Sequence, residues 1–383
     1  MGSGRGMKTL VVGGGIMGLS CASALARDGH AVTLLERGAL PNPLASSVDR
    51  HRLIRYPYGA QEGYTRMVGE AFDAWERLWR NLGQCYYVQT GTLALSSGAD
   101  EWVGSSRVAL KRCSIAHRRL GAAELEVRAP MLDPVGVTEA IYLESGGFLR
   151  AAEIVAALAA HLPTLGVSVL TQTEVVALDA GAARVVLHDG RELAADRLIV
   201  AAGPWAPKLV PALAPRVTAS RQLVVYLEPP AQWARAWASA PMVLEIGADA
   251  GFYAVPPRGA HGLKVGDHRF SLRGDPDGER AASDEEAEAI ARACTRRFRD
   301  RASYRRLEAK TCFYDVSESE RFLVEQAGER TWVLSGFSGH GFKFGALIGE
   351  RVADALVGRV DPQTLTRWAA GSAALLPRAR KRL

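Results

Sequence analysis

Three glycines, Gly13, Gly15 and Gly18, stand in the spacing G-x-G-x-x-G directly after an apolar run at residues 9–12. Such a run suits a strand buried on both faces. The first glycine permits a tight turn from strand to helix. The second lets backbone approach a pyrophosphate, and the third lets the helix pack closely on the strand. Ile16 and Met17 open the helix predicted over 17–28, whose amino end favours negative charge. A second apolar run, 31–35, ends in Glu36 with Arg37 beside it, at about the 20-residue interval where a carboxylate accepts from ribose hydroxyls. The pattern is that of an adenine-dinucleotide site, and by itself it leaves NAD and FAD both open.

Two further stretches carry residues capable of chemistry. Residues 46–59 read S-S-V-D-R-H-R-L-I-R-Y-P-Y-G, with Arg50, Arg52 and Arg55 close together and little acid beside them. Burying them calls for an anion. Residues 335–345 read S-G-F-S-G-H-G-F-K-F-G, a glycine-dense turn between a buried strand at 331–334 and a helix at 346–356, with one lysine, Lys343. A helix amino end aimed inward there suits negative charge developing on a ring.

The elements that must position these residues alternate in kind. Helical spacing recurs over 64–82 and 150–162, and residues 283–298 begin with a capping box, Ser283 and Glu286. Strand-like stretches lie at 86–96 and 137–142, with irregular, Arg-rich sequence between them. Strands follow at 167–178 and 197–202, and Val175, Ala202, Gly203 and Trp205 are expected to join the cofactor contacts. From 217 onward strands dominate, at 222–227, 242–246, 252–255 and 262–265. A parallel-sheet region that returns after an interruption points to an inserted second domain.

Composition narrows the class. The chain has 383 residues, 48% hydrophobic and 23% charged, with a formal net charge of +6, as expected of an ordinary globular protein. Only the tail R-A-R-K-R at 378–382 clusters basic residues, and nothing aromatic interleaves it, so no nucleic-acid partner is expected. The 5 cysteines include no C-x-x-C pair, which suggests a reducing compartment, and the protein is expected to be cytoplasmic. No apolar run reaches the roughly 18 residues of a membrane span, and no zinc spacing, P-loop or nucleophile elbow is present; no bound metal is expected. Residues 1–6 are polar, and Met7 reads as the natural start.

Taken in order, the glycine fingerprint, V-D-R-H-R-L-I-R-Y-P-Y-G, F-Y-A-V-P-P-R-G-A-H-G-L-K-V-G-D-H, K-T-C-F-Y and G-F-S-G-H-G-F-K-F resemble the monomeric sarcosine oxidase group of the D-amino-acid-oxidase-like flavoproteins, over nearly the whole chain. The resemblance implies an α/β, two-domain glutathione-reductase-like fold: a Rossmann-type FAD domain from 7–84, 147–215 and 318–383, and a mostly antiparallel-sheet substrate domain from 85–146 and 216–317. It implies FAD held through Cys312 as an 8α-S-cysteinyl thioether, with Arg52 lowering the thiol's pKa. Gly339, His340, Gly341, Phe342 and Lys343 would face the flavin. Arg55 and Lys343 would clamp a substrate carboxylate. Lys264 would promote reaction with O2. Tyr253, His268 and Tyr314 would shape the pocket and hydrogen-bond the substrate.

The implied activity is oxidation of a secondary or N-methylated amino acid to an imine, with O2 reduced to hydrogen peroxide, by a monomer. An FAD-dependent dehydrogenase with another acceptor, and a flavin-binding protein without turnover, are the alternatives. Val48 and Asp267 replace a histidine and a tyrosine of the sarcosine enzymes. The Val48 exchange makes a pocket more apolar beside the amine an expectation, and it favours a larger or cyclic substrate.

Overall fold

The computed structural model describes residues 6–99, 101–247, 251–259 and 261–372. The basic tail and residues 1–5 lie outside the described residues.

A six-stranded sheet runs in the order Leu323–Gly328, Thr331–Ser335, Arg197–Val200, Lys8–Val12, Ala31–Leu35, Ser168–Leu170. Its pairings are parallel except the first. The strands at its centre are the continuous apolar runs, as burial on both faces requires. Helix Ile16–Arg27 leaves the glycine turn and packs against helix Gly345–Leu356. The two approach so closely that a Cβ on Gly345 would stand 2.5 Å from Ile16 Cγ1, and one on Gly349 2.6 Å from the Ser20 carbonyl carbon. The two helices therefore start side by side.

An eight-stranded sheet runs Arg305–Ser317, Val217–Glu228, Leu263–Asp267, Phe252–Val255, Met242–Glu245, Thr92–Ser97, Val137–Leu143, Arg118–Arg119. Only the Met242–Glu245/Thr92–Ser97 pair is parallel, so the sheet is mostly antiparallel as expected. A small sheet of His51–Ile54, Gly147–Arg150 and Tyr87–Gln89 carries the arginine-rich stretch.

Four local expectations need correction, the first being that 86–96 is two strands, Tyr87–Gln89 and Thr92–Ser97, in different sheets. The Arg-rich segment read as irregular holds helices Trp102–Arg112 and Ala122–Arg128. The stretch 167–178 is two strands, Ser168–Leu170 and Val175–Asp179, in different sheets, because the chain turns at 171–174 to meet the end of the second strand; there Thr173 N donates to Glu36 O. The helix predicted over 283–298 is α-helical for Asp284–Cys294 and then tightens to a 3-10 turn; Ser283 caps it as expected, accepting from Glu286 N at 3.1 Å.

Candidate active site

Two adjoining cavities open where the sheets meet. Gly13, Gly15, Ile16, Met17, Glu36, Arg37, Val175, Ala202, Gly203, Trp205, Gly339, Gly341 and Phe342 line the first. Gly13 takes φ +108°, a conformation that side chains resist. Gly18 does not line the cavity. A Cβ there would fall 1.9 Å from Gly13 O, so Gly18 sets the closeness of helix to turn. The helix has Gly15 as its N-cap, which offers no side chain to the free N–H groups, and Ser47 Oγ accepts from Ile16 N at 3.0 Å. Glu36, expected to face a ribose, is bonded within the protein. Its Oε2 accepts from Gly14 N at 2.7 Å, and its Oε1 accepts from Gly38 N and Asn42 Nδ2, each at 2.9 Å. The acid thus holds the glycine turn in shape.

Arg37 lies over the Trp205 ring, 5.2 Å from its centroid, and pairs with Asp277 at 2.8 Å. Asp277 also accepts from Trp205 Nε1 at 2.8 Å and pairs with Lys208 at 2.7 Å, bringing a loop of the large-sheet region to the rim. A long cleft with a glycine turn at a helix amino end, a strand-end acid and a strapped aromatic rim fits a flavin dinucleotide.

Arg55, Tyr253, Lys264, His268, His340 and Lys343 line the second cavity. His340 and Lys343, grouped by their motif with the cofactor contacts, lie on this side. Arg52, Tyr314, Gly339 and Phe342 border both cavities. Gly339, at φ +74°, is needed for contact with the Tyr314 ring, since a Cβ would stand 2.3 Å from Tyr314 Cε2. His268 sits exposed at the outer edge, in edge contact with Phe270 at 6.0 Å.

The cations of this cavity divide into two kinds. Arg55 and Lys343 are 8% and 4% exposed, and among the described residues neither is in an ion pair, with Glu320 within electrostatic reach of Arg55. Arg55 donates to Pro57 O and lies over the rings of Tyr58 (4.4 Å) and Trp102 (5.6 Å). Lys343 Nζ donates to Tyr58 Oη and to His340 O, both at 2.9 Å. The directions of this chain are fixed by its end. Glu320 O can only accept from His340 Nε2 (2.9 Å), so Nδ1 accepts from Tyr58 Oη at 3.1 Å. Burial, and then the Arg55 guanidinium nearby, holds the Lys343 amine well below the usual lysine range. Burial also pulls Arg55 down.

Lys264, only 1% exposed, is different. It pairs with Asp49 Oδ2 at 2.5 Å and donates to His51 O at 3.0 Å. Asp49 also pairs with Arg52, and its Oδ1 accepts from Tyr226 Oη at 2.7 Å. Burial pushes the Asp49 carboxyl up, but Lys264 and Arg52 together hold it well below the usual range. Arg50 pairs with Glu308 at 2.7 Å.

Cys312 lies on the strand Arg305–Ser317, its thiol beside Tyr314 two residues on, with Arg52 within electrostatic reach. The expected lowering of its pKa is corrected. Burial raises the thiol, and the pull of Arg52 does not offset it because Asp49 shares that charge. Val48 is likewise not where the more apolar pocket was expected: it packs half-buried on the core of the six-stranded sheet and lines neither cavity. Asp267 does line the second cavity, and burial raises its carboxyl.

Asp49, Tyr58, Tyr226 and Asp277 complete the two sites and were missed from sequence. Asp49 is the acid inside V-D-R-H-R, and its spacing to Arg52 was the available signal. The other three meet their partners only through the fold. No group of residues suited to a metal ion occurs among the described residues.

The chain matches the family of FAD dependent oxidoreductases over residues 8–355. It is similar to monomeric sarcosine oxidase of Bacillus sp. (strain B-0618), 27% identical across 92% of this chain and 93% of the relative. It is also similar to N-methyl-L-tryptophan oxidase of Yersinia pestis (strain Pestoides F), 24% identical across 90% and 93%. Among solved structures, L-proline dehydrogenase from P. horikoshii has the same fold, with a TM-score of 0.79 and 20% identity over 96% of this chain and 97% of that one. With the cleft, its acid and the match over nearly its whole length, the chain belongs to the FAD dependent oxidoreductases.

Proposed function

We propose that the protein oxidises the C–N bond of a secondary or N-methylated amino acid (sarcosine, N-methyl amino acid, pipecolate or proline type) to an imine, and that O2 is reduced to hydrogen peroxide. One observation carries this reading: Arg55 and Lys343, two buried cations in no ion pair among the described residues, share a cavity that adjoins the cofactor cleft. Burying such charges without an anion is unfavourable unless a ligand brings one. The likeness to sarcosine and N-methyltryptophan oxidases supports the class of amine.

FAD held by the residues lining the first cavity would supply the two-electron acceptor and the route of those electrons to O2. The residues of this chain place the substrate. Arg55 offers a planar fork to the carboxylate and Lys343 a point charge. Tyr58 orients Lys343 from below, itself oriented by neutral His340. With the carboxylate seated, the amine carbon is directed toward the boundary marked by Tyr314, Gly339 and Phe342. Tyr253 and His268 flank the amine, and Arg52 stands at the boundary. Lys264 supplies the ammonium that eases negative charge onto oxygen. Cys312 is assigned the covalent thioether to the flavin ring. In this reading segments 7–84, 147–215 and 318–383 form the FAD domain, 85–146 and 216–317 the substrate domain, and the protein is a cytoplasmic monomer; no described helix is long and apolar enough to cross a membrane.

The test is anaerobic mixing with a panel of N-methyl and cyclic secondary amino acids and their carboxamides. The acids should bleach the flavin band and the amides should not; admitting air should then give one peroxide per substrate. Bleaching by no acid, or equally by the amides, refutes the reading. Bleaching without peroxide identifies a dehydrogenase. A yellow acid-precipitated pellet, lost in Cys312→Ala, establishes the covalent link.

A further inference from the structure

Lys264 comes from the large sheet and Arg52 from the small one, yet a single carboxylate joins them. Lys264 stands directly opposite Tyr226 in the antiparallel pair of their strands. Asp49 reaches across to both: Oδ2 takes the Lys264 ammonium at 2.5 Å and the Arg52 guanidinium, and Oδ1 takes the Tyr226 hydroxyl at 2.7 Å. With His51 O at 3.0 Å, two of the three protons on Lys264 Nζ are committed. Asp49 immediately precedes the first strand of the small sheet and His51 opens it, and Lys264 lines the second cavity.

Resting on the oxidase reading above, we infer that Asp49 is a positioning residue for the oxygen step: it fixes where the Lys264 ammonium points and keeps it charged. Among the described residues, no other group facing the pair supplies the compensating negative charge. Arg52 is a like charge. The His51 imidazole, with His261 5.7 Å from it, is held neutral by burial and by Lys264. Tyr226, Tyr253 (ring 5.9 Å from Nζ) and Tyr314 keep their protons, and Cys312 is held as a thiol by burial. Asp49 is therefore the single carboxylate paired with Lys264 among the described residues; Glu308, opposite Tyr226 on the neighbouring strand, pairs with Arg50. Burial depresses the Lys264 amine and Asp49 opposes that depression.

The test uses holoenzyme reduced with dithionite, which bypasses the amine substrate, and mixed with O2 over a pH series. Wild type should reoxidise at a rate that is flat through neutral pH. In Asp49→Asn the rate should fall about tenfold or more at pH 8, with its descending limb moved down by one to three pH units, the effect of removing one close opposite charge. Asp49→Glu should restore the limb while reoxidising more slowly, since the charge returns but not the aim. In Lys264→Met, Asp49→Asn should change nothing further.

A wild-type limb below pH 7, or an Asp49→Asn profile superimposed on wild type, overturns the proposal. So does an effect of Asp49→Asn that persists in Lys264→Met. The wild-type limb decides even if Asp49→Asn does not fold. Thermal unfolding of the apoproteins supplies a readout without flavin. Asp49→Asn, Lys264→Met and the double variant should be non-additive, the double losing less Tm than the sum; additive losses refute the coupling. If the amine panel fails while these profiles hold, the substrate reading falls and this one stands.

Discussion

Arg55 gives the sharpest test of the site, because its two possible roles predict opposite signs. If Arg55 is a structural residue, Arg55→Met removes stabilising contacts and lowers Tm. If it awaits an anion, the same change relieves a strained protein. The structure lets both sides be weighed. Against removal stand the hydrogen bond to Pro57 O, the stacking over Tyr58 and Trp102 and the attraction of Glu320. A hydrogen bond from a charged group contributes about 1.5–3 kcal/mol, and a desolvated cation–π contact about 2. In favour stand the desolvation of a guanidinium, several kcal/mol, and its repulsion of Lys343. Methionine keeps the apolar stem in place. The expected balance for the ligand-free protein is a Tm unchanged or raised. Carboxylate binding has no such offset. Losing a bidentate charge-assisted contact of about 3 kcal/mol weakens binding by about 10²-fold, at 1.36 kcal/mol per decade. The assay pairs calorimetry of the ligand-free protein with titration of pyrrole-2-carboxylate followed through the flavin spectrum. A Tm that falls by several degrees while affinity changes less than threefold would show that Arg55 belongs to the scaffold.

Other outcomes follow from the same geometry. The Lys343 amine is depressed by burial and by Arg55, and an arriving carboxylate raises it again. Carboxylate binding should therefore take up a proton in the window between the free and bound values, and affinity should fall as pH rises through it. A pH-indicator dye reports the uptake, and Lys343→Met should abolish both effects. Asp315, buried beside the first cavity, has its carboxyl pushed up to about 6 by burial. Between its unfolded value near 3.9 and that value the folded state holds a proton that the unfolded state has lost, so its contribution to stability is full below the window and declines as pH rises through it. Asp315→Asn should remove that decline and stabilise the protein at pH 7.5 by up to about 3 kcal/mol; urea unfolding at pH 4 and 7.5 checks the difference, and an unchanged slope counts against it. Gly18→Ala should be soluble only as a destabilised, flavin-poor protein, because its Cβ would meet backbone rather than a movable side chain; normal flavin content in that variant would contradict the packing argument.

What could be read from the chain depended on how local its cause was. The strands Lys8–Val12 and Ala31–Leu35 stood out because strands buried on both faces must be unbroken apolar runs. The helix Trp102–Arg112 escaped because its buried positions, Val103, Ser106, Ala109 and Leu110, are mostly small, and exposed basic residues surround them. The strand Arg305–Ser317 escaped because its first residues are polar and only its far end is buried. The motif residues of the two cavities were legible, whereas the acids that decide their charge were less so.

The arginine cluster shows why. Counted along the chain, Arg50, Arg52 and Arg55 look alike, and each needs an anion. The fold brings Glu308 to the first from 258 positions away, turns Asp49 onto the second at i,i+3, and leaves the third among aromatic rings. The same subtraction separates the lysines, since Lys264 shares Asp49 and, among the described residues, Lys343 hydrogen-bonds only neutral oxygens. Charge at this site is thus defined by which cations the protein itself leaves unmatched. A ligand carboxylate can replace solvation at Arg55 and Lys343 without displacing any internal acid, whereas at Lys264 and Arg52 it would have to compete with Asp49. That difference in competition assigns anion recognition to one end of the cavity and leaves the other end electrically closed to it.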